Sequence, residues 1–315
     1  MFRPLALVAF ALLLLAPAAF AASRAEQPHV TVELLSDVEA LAPGAAFTLG
    51  LRYLVEPAWH VYWVNPGDSG IEPKVRWRAP AGFELGELQW PVPKLIRLKH
   101  LANYGYEGES LLLVEGRAPA DLPVGEPVRI RAKLSWLVCQ EDCIPGEARL
   151  EMELPVEARA RFDAEVVERF TTARFKLPLA SADAGWSARA RLERQGVHLE
   201  LTPAAGGALP VSAEFFPAEG GWVHAAGVQQ RAATAEALHL FVPLAEDPDR
   251  EPPGRLAGVV VSGSGWRGEG SEPGLAIDVE WTDELARFAQ VAGGAGSPGV
   301  FLAAVLAFFG GVLLN

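Results

Sequence analysis

The sequence predicts a mainly β protein: an immunoglobulin-like sandwich, a second β-rich domain and an apolar helix at the C-terminal end. Three observations carry that expectation. Short runs alternate apolar with polar residues at the period of two that a half-buried strand requires. Turn formers are plentiful, with 25 prolines and 31 glycines scattered among those runs. No convincing long helical pattern breaks the first half, and several short strands at turn-punctuated spacing are the pattern of a sandwich.

Taken in order, residues 28–157 form the expected sandwich domain. His29 to Leu35 reads as a strand, Ala42-Pro43-Gly44 as a turn, and Phe47 to Val55 as a strand with an apolar odd-numbered face. Trp59 to Val64 continues in β, and the breakers in Asn65-Pro66-Gly67-Asp68-Ser69-Gly70 predict a loop. Val75-Arg76-Trp77, Phe83 to Trp90 and Leu111 to Glu115 add short strands, and Gly105 and Gly108 predict a loop around Tyr104 and Tyr106. Residues 158–176 read as a linker helix that Asp163 caps, with Val166, Val167 and Phe170 on one face. Residues 177–285 make the second β domain, with strands expected at 186–193, 197–201, 211–216, 237–244, 256–262 and 275–281. Its His198, His224 and His239 are expected to be ordinary core or surface residues.

One hairpin stands apart. Val128, Ile130, Ala132, Leu134, Trp136 and Val138 share one parity, while Arg129, Arg131, Lys133 and Ser135 take the other. After a break, Ala148, Leu150, Met152 and Leu154 alternate with Glu147, Arg149, Glu151 and Glu153. Pairing even with even positions keeps both apolar sets on one face and sets basic residues against acidic ones. The expected connection, Cys139 to Gly146, holds the only two cysteines of the chain, Cys139 and Cys143.

A turn can bring residues four apart within the roughly 4.4–6.8 Å Cα separation of a disulfide. The loop so closed is very small and removes little entropy from the unfolded chain. Three readings stand side by side: an inert structural bridge, a redox pair, or two thiolates holding a soft ion such as Cu(I). A tetrahedral metal site needs two further ligands, which the loop does not supply, so no metal site is expected.

The wording around these cysteines, Trp136-Leu137-Val138-Cys139-x3-Cys143-Ile144-Pro145, resembles the periplasmic amino-terminal region of the DsbD- and ScsB-type thiol:disulfide interchange reductases. Trp59-His60-Val61-Tyr62-Trp63-Val64-Asn65-Pro66-Gly67-Asp68-Ser69-Gly70, Gln89-Trp90-Pro91-Val92-Pro93 and Asn103-Tyr104-Gly105-Tyr106-Glu107-Gly108 resemble the same family in the same order. The Cys-x3-Cys spacing and the second β domain place the likeness nearer the ScsB branch. The resemblance implies a protein-disulfide reductase whose only redox group is the Cys139–Cys143 disulfide, without a bound cofactor. It implies Cys143 as the partner-linking residue and Cys139 as the resolving one. Gln140, Glu141, Asp142 and Pro145 then form the active-site loop. His60, Tyr62, Asp68, Tyr104 and Tyr106 are the candidates for a cap over the pair. Exported thioredoxin-fold or disulfide isomerase-like proteins are the implied partners, with cytochrome c maturation and copper tolerance as the associated settings.

The two ends bear on compartment. Met1 to Ala22 reads as a signal peptide, with a short basic start, an apolar core from Leu5 to Leu15 and Ala19-Phe20-Ala21 as cleavage site. Export implies an oxidising compartment. At the other end, residues 286–298 read as a flexible linker, and 299–315 as the start of a first transmembrane helix. The resemblance implies that an electron-supplying membrane domain of the same full-length protein follows, making this a periplasmic domain of an inner-membrane protein. A net charge of −12 with no basic run argues against nucleic acid as a partner.

Overall fold

The computed structural model describes residues 23–204 and 207–294. The expected signal peptide and the expected transmembrane helix lie outside the described residues. Within them, no helix is long and apolar enough to cross a membrane.

Chain order in the first domain runs β1 (Arg24–Gln27), β2 (Val30–Ser36), β3 (Ala46–Val55), β4 (Val61–Gly67), β5 (Lys74–Arg78), β6 (Glu84–Leu85), β7 (Lys94–Leu98), β8 (Leu101–Tyr106), β9 (Glu109–Arg117), β10 (Val128–Cys139) and β11 (Cys143–Leu154). Three sheets result, ordered β1-β2-β3-β9-β6, β11-β10-β5 and β4-β8-β7. The period-two pattern explains their packing. In β2 the even positions Val30, Val32 and Leu34 are buried, and in β10 so are Ala132, Leu134, Trp136 and Val138. These two sets meet in one core together with Leu51, Tyr53 and Leu112. A continuation of that core joins Leu49, Val114, Ile130 and Val156 at the far end of the sandwich. The mainly β, immunoglobulin-like expectation is met.

Helix α1 (Ala164–Phe175) follows. The Asp163 carboxylate accepts from the Val166 amide at 3.0 Å, the N-cap that its short side chain favours. The helix lies on the first sheet, with Phe170 and Ala173 buried against Leu111 and Leu113. Gly50 leaves room for this: a Cβ there would stand 2.8 Å from Leu111 and 3.0 Å from Phe170. Val167, expected on the apolar face with Phe170, points instead to solvent, since Phe170 and Ala173 set the buried stripe.

The second domain contains β12 (Leu179–Ala180), β13 (Trp186–Glu193), β14 (Gly196–Pro203), β15 (Glu214–Pro217), β16 (Gln230–Ala233), β17 (Leu238–Pro243), β18 (Arg255–Val261) and β19 (Gly274–Glu280). Two sheets, β12-β19-β18-β15 and β13-β14-β17-β16, enclose a core of Leu199, Leu240, Phe215, Val260, Trp222 and Trp266 among others. The two domains touch. Phe216 lies edge-on to Tyr104 with ring centroids 5.0 Å apart, and the buried Asn65 amide donates to the Pro217 carbonyl at 2.7 Å.

Four local expectations need correction. Strand β1 precedes the expected domain start at 28; its polar sequence hides a strand that Arg24 ties to Glu33 at 2.9 Å. Tyr104 and Tyr106 lie on strand β8, not in a loop, because Gly105 admits the Val61 carbonyl where a Cβ would stand 2.2 Å away. Val211 is exposed ahead of β15, which begins at Glu214. The segment expected as a flexible linker opens with a short helix, α2 (Phe288–Gly294), whose Phe288 ring packs edge-on to the His198 ring at 5.5 Å.

His198 and His239 are both buried beneath that helix. Their rings share a hydrogen bond of 3.0 Å between Nε2 of His198 and Nδ1 of His239, and Nδ1 of His198 lies 2.8 Å from the Ala286 carbonyl. Burial lowers the pKa of each below its ordinary value, so the folded domain holds them neutral. The unfolded chain takes up these protons as the pH falls through about 6.5, while the folded chain resists. Stability is therefore complete above that value and lost as the pH falls toward the lowered folded pKa, by up to about 1.4 kcal/mol per pH unit for each histidine. Urea midpoints measured at several pH values between about 7.5 and 5 should fall with pH, and less steeply in His239→Gln. Equal slopes in the two proteins would remove the pair from this account.

Candidate active site at the cysteine hairpin

The β10–β11 ladder explains where the cysteines sit. Even positions pair with even, Val128 with Leu154 through Leu134 with Ala148, as the alternation requires. Arg129 opposes Glu153 and Arg131 opposes Glu151, whereas Lys133 opposes Arg149. Pairing then runs further than the sequence predicts. Trp136 opposes Gly146, Leu137 opposes Pro145, Val138 opposes Ile144, and Cys139 opposes Cys143 as the last rung. The expected eight-residue connection is therefore a three-residue turn, Gln140-Glu141-Asp142, closed by the Gln140 amide on the Asp142 carbonyl at 3.1 Å. Gly146 permits the longer ladder, because a Cβ there would stand 2.5–2.7 Å from the Trp136 indole.

Cys139 and Cys143 form a disulfide with Cα atoms 4.2 Å apart. The two residues differ sharply in surroundings. Cys139 is 1% exposed, and its backbone pairs with His60 through two hydrogen bonds of 2.9 Å. Cys143 is exposed at the start of β11, with Pro145 exposed two residues on and Glu141 and Asp142 exposed in the turn. Glu141 reaches Lys99, at the tip of the β7–β8 hairpin, at 3.5 Å. Both are well exposed, and such a pair contributes little.

The wall of the site is β4. The Tyr62 hydroxyl stands 3.7 Å from the Cys143 sulfur. Its ring is seated on Gly70, where a Cβ would fall 2.2–2.6 Å from the ring carbons, and Gly70 has φ +101°. Only glycine meets both conditions without strain. The His60 ring stands edge-on to Tyr62 at 5.1 Å, and its buried Nε2 has no partner among the described residues. Burial lowers the His60 pKa and raises that of Tyr62, so both stay neutral near pH 7. Tyr62 therefore faces the sulfur as a hydroxyl that can donate.

The remaining cap candidates have other contacts. Asp68 accepts from the Ala102 amide at 2.8 Å, and Ser69 donates to the Asn103 side chain at 3.0 Å, so the loop carrying Gly70 is pinned to β8. Tyr106 donates to the Pro91 carbonyl at 2.7 Å from within the core, and Tyr104 packs against Phe216 of the second domain. Of the aromatic candidates, His60 and Tyr62 are brought to the disulfide. Gly70 and Asn103 stand in the segments that resemble the family but carry no expected site role, and Lys99 stands in none of them.

Gly70→Ala tests this wall. We expect the added methyl to displace Tyr62 and to speed reduction of the disulfide by a bulky phosphine severalfold, with a stability loss of about 1–3 kcal/mol for the strained φ. Unchanged reduction kinetics would show that Tyr62 does not shield Cys143.

Comparison with known proteins accords with this geometry. Residues 31–155 match the sequence model of the family described as thiol:disulfide interchange protein DsbD, N-terminal. Among solved structures, the chain is similar to the N-terminal periplasmic domain of ScsB from Proteus mirabilis. That match has 18% identity and a TM-score of 0.59, and covers 82% of this chain and 98% of that one. The yeast GGA1 GAE domain is far more distant, at 11% identity and a TM-score of 0.25, with 42% of this chain and 95% of that one covered. No curated protein sequence matches. From β2 to β11, with its terminal disulfide, the chain thus resembles an N-terminal domain of the DsbD thiol:disulfide interchange family, and it shares its fold with the ScsB domain.

Proposed function

We propose that this chain is a periplasmic protein-disulfide reductase module that passes electrons to exported thioredoxin-fold or isomerase-like proteins. The observation that carries the reading is the unequal exposure of the two cysteines. In the reduced state the Cys143 thiolate attacks a partner disulfide, one partner sulfur bonds to Cys143, and the other leaves with the electron pair. Cys139 then attacks the Cys143 sulfur, releases the partner as a dithiol and restores the Cys139–Cys143 disulfide. Two electrons pass to the partner in each cycle. A second dithiol, carried by a membrane domain of the full-length protein, must reduce the pair again.

The surroundings fit this direction of transfer. The exposed Lys99 beside the turn is engaged by Glu141 at 3.5 Å. Glu141 and Asp142 disfavour negative charge on sulfur, which favours the disulfide over the dithiolate and makes the pair a reductant. The Tyr62 hydroxyl, 3.7 Å from Cys143, is placed to donate to that sulfur when it carries charge as attacking or leaving group.

Alkylation separates the two thiols. In the reduced chain a bulky maleimide should modify Cys143 at least about tenfold faster than Cys139, by virtue of exposure and thiolate access. Equal rates, read by mass spectrometry of the peptides, would contradict the assignment of roles.

A further inference from the structure

The outward face of the β11-β10-β5 sheet carries charge that folding does not explain. Its central row runs Arg76, Lys133, Arg149 across three neighbouring strands, each residue directly opposite the next. All three are exposed. Like charges directly opposite destabilise a sheet. The next row sets Arg78 against Arg131, which is already engaged by Glu151. Among the described residues Arg76, Arg78 and Arg149 form no ion pair, while Lys133 has only Glu147 at 3.9 Å. This basic row stands out on a chain of net charge −12.

Its position gives it a use. Cys139 and Cys143 have the same parity as Lys133 and Arg149, so the disulfide closes the end of this same face. Six residues of strand separate the disulfide rung from the basic row, about 20 Å. A thioredoxin-sized partner seated on Cys143 extends over that distance. We propose that this row is an electrostatic docking surface for the exported partner protein, which presents an acidic patch about 20 Å from its own reactive disulfide. The inference rests on the reductase reading and adds the partner's surface chemistry. An anionic lipid surface is the less suited occupant, since the exposed Glu141, Asp142 and Glu147 lie along the same face and would meet it too.

The surface should act on encounter rate. Complementary charge raises association by about tenfold or more at low salt, and the effect fades as salt screens it. The test uses the reduced full chain and two synthetic peptides. Each peptide bears one cysteine as a mixed disulfide with thionitrobenzoate. After a spacer of matching length, one ends in a run of glutamates and the other in a run of glutamines. Attack by Cys143 expels thionitrobenzoate with the electron pair, and Cys139 then displaces the peptide thiol, so release of colour reports the first step.

The glutamate peptide should react about tenfold faster than the glutamine peptide at low ionic strength. The advantage should vanish at about 1 M salt, where the screening length is about 3 Å. It should vanish also in the R76Q/K133Q/R149Q chain and invert in R76E/K133E/R149E. Neutral hydroxyethyl disulfide reports the thiols alone, and both variants should reduce it at the unaltered rate, which shows that they are folded. Equal rates for the two peptides, with both reduced, would overturn the docking surface and leave the reductase reading intact. Failure of the chain to reduce either peptide or hydroxyethyl disulfide would remove both. Row-dependent binding to equimolar phosphatidylcholine and phosphatidylglycerol vesicles, without peptide discrimination, would assign the face to lipid and overturn the proposal.

Discussion

Cys139→Ser should accumulate a covalent adduct with its exported partner through Cys143, and Cys143→Ser should accumulate little or none. The reason is geometric. Cys143 is the exposed residue of the pair, while Cys139 is buried behind it and held to His60 by paired backbone hydrogen bonds. A partner that has bonded to Cys143 is released only when a second thiol attacks, and removal of Cys139 removes that thiol. The adduct should resist gel electrophoresis without reductant and disappear with dithiothreitol. Comparable adducts from both variants would refute the ordering of the cysteines. Absence of adducts from either would argue that the disulfide is inert.

The second large effect concerns Trp136. Its indole is 3% exposed, stands edge-on to Tyr53 at 6.0 Å and covers Gly146. Trp136→Ala should cost about 3–5 kcal/mol, the range for deleting a large buried aromatic side chain. Because Trp136 lies three residues from Cys139, the loss should fall on the end of the hairpin that positions the disulfide. Gly146→Val should destabilise the same rung from the opposite strand by overpacking, by about 1–3 kcal/mol. Denaturant unfolding followed by tryptophan fluorescence measures both. A Trp136→Ala chain within about 1 kcal/mol of the parent would contradict the packing role given to this residue.

What the sequence revealed follows from which forces are local. Alternation in β2, β10 and β11 is a local pattern, and the sheet faces and the even-with-even register follow from it. The cap at Asp163 is also local, one side chain reaching an amide three residues on. The length of the cysteine loop was not legible, because Pro145 and Gly146 read as breakers. Their reason for lying in a strand is Trp136, ten positions before Gly146 and directly across the ladder. Likewise Gly105 reads as a loop residue until the Val61 carbonyl, from a distant strand, is seen to occupy the space a side chain would take.

The same distinction holds at the site. Two cysteines four apart do not say which is exposed; that depends on a segment some 80 positions earlier, where His60, just ahead of β4, pairs with Cys139 and Tyr62 of β4 reaches Cys143. The basic row is similarly a property of three strands. Arg76, Lys133 and Arg149 are unremarkable in their own segments and become a row only through the register of β5, β10 and β11.

The equilibrium reduction potential of the Cys139–Cys143 pair tests the central claim most directly. The disulfide closes only the three-residue turn at the tip of a hairpin and so fixes little chain that the ladder does not already fix. Cys143 is the exposed residue of the pair. The account predicts a potential in the range of exchange proteins, about −120 to −270 mV, measured against glutathione or dithiothreitol redox buffers with quantified alkylation. A value well below about −300 mV, typical of structural disulfides, would contradict it and leave the hairpin with an inert bridge.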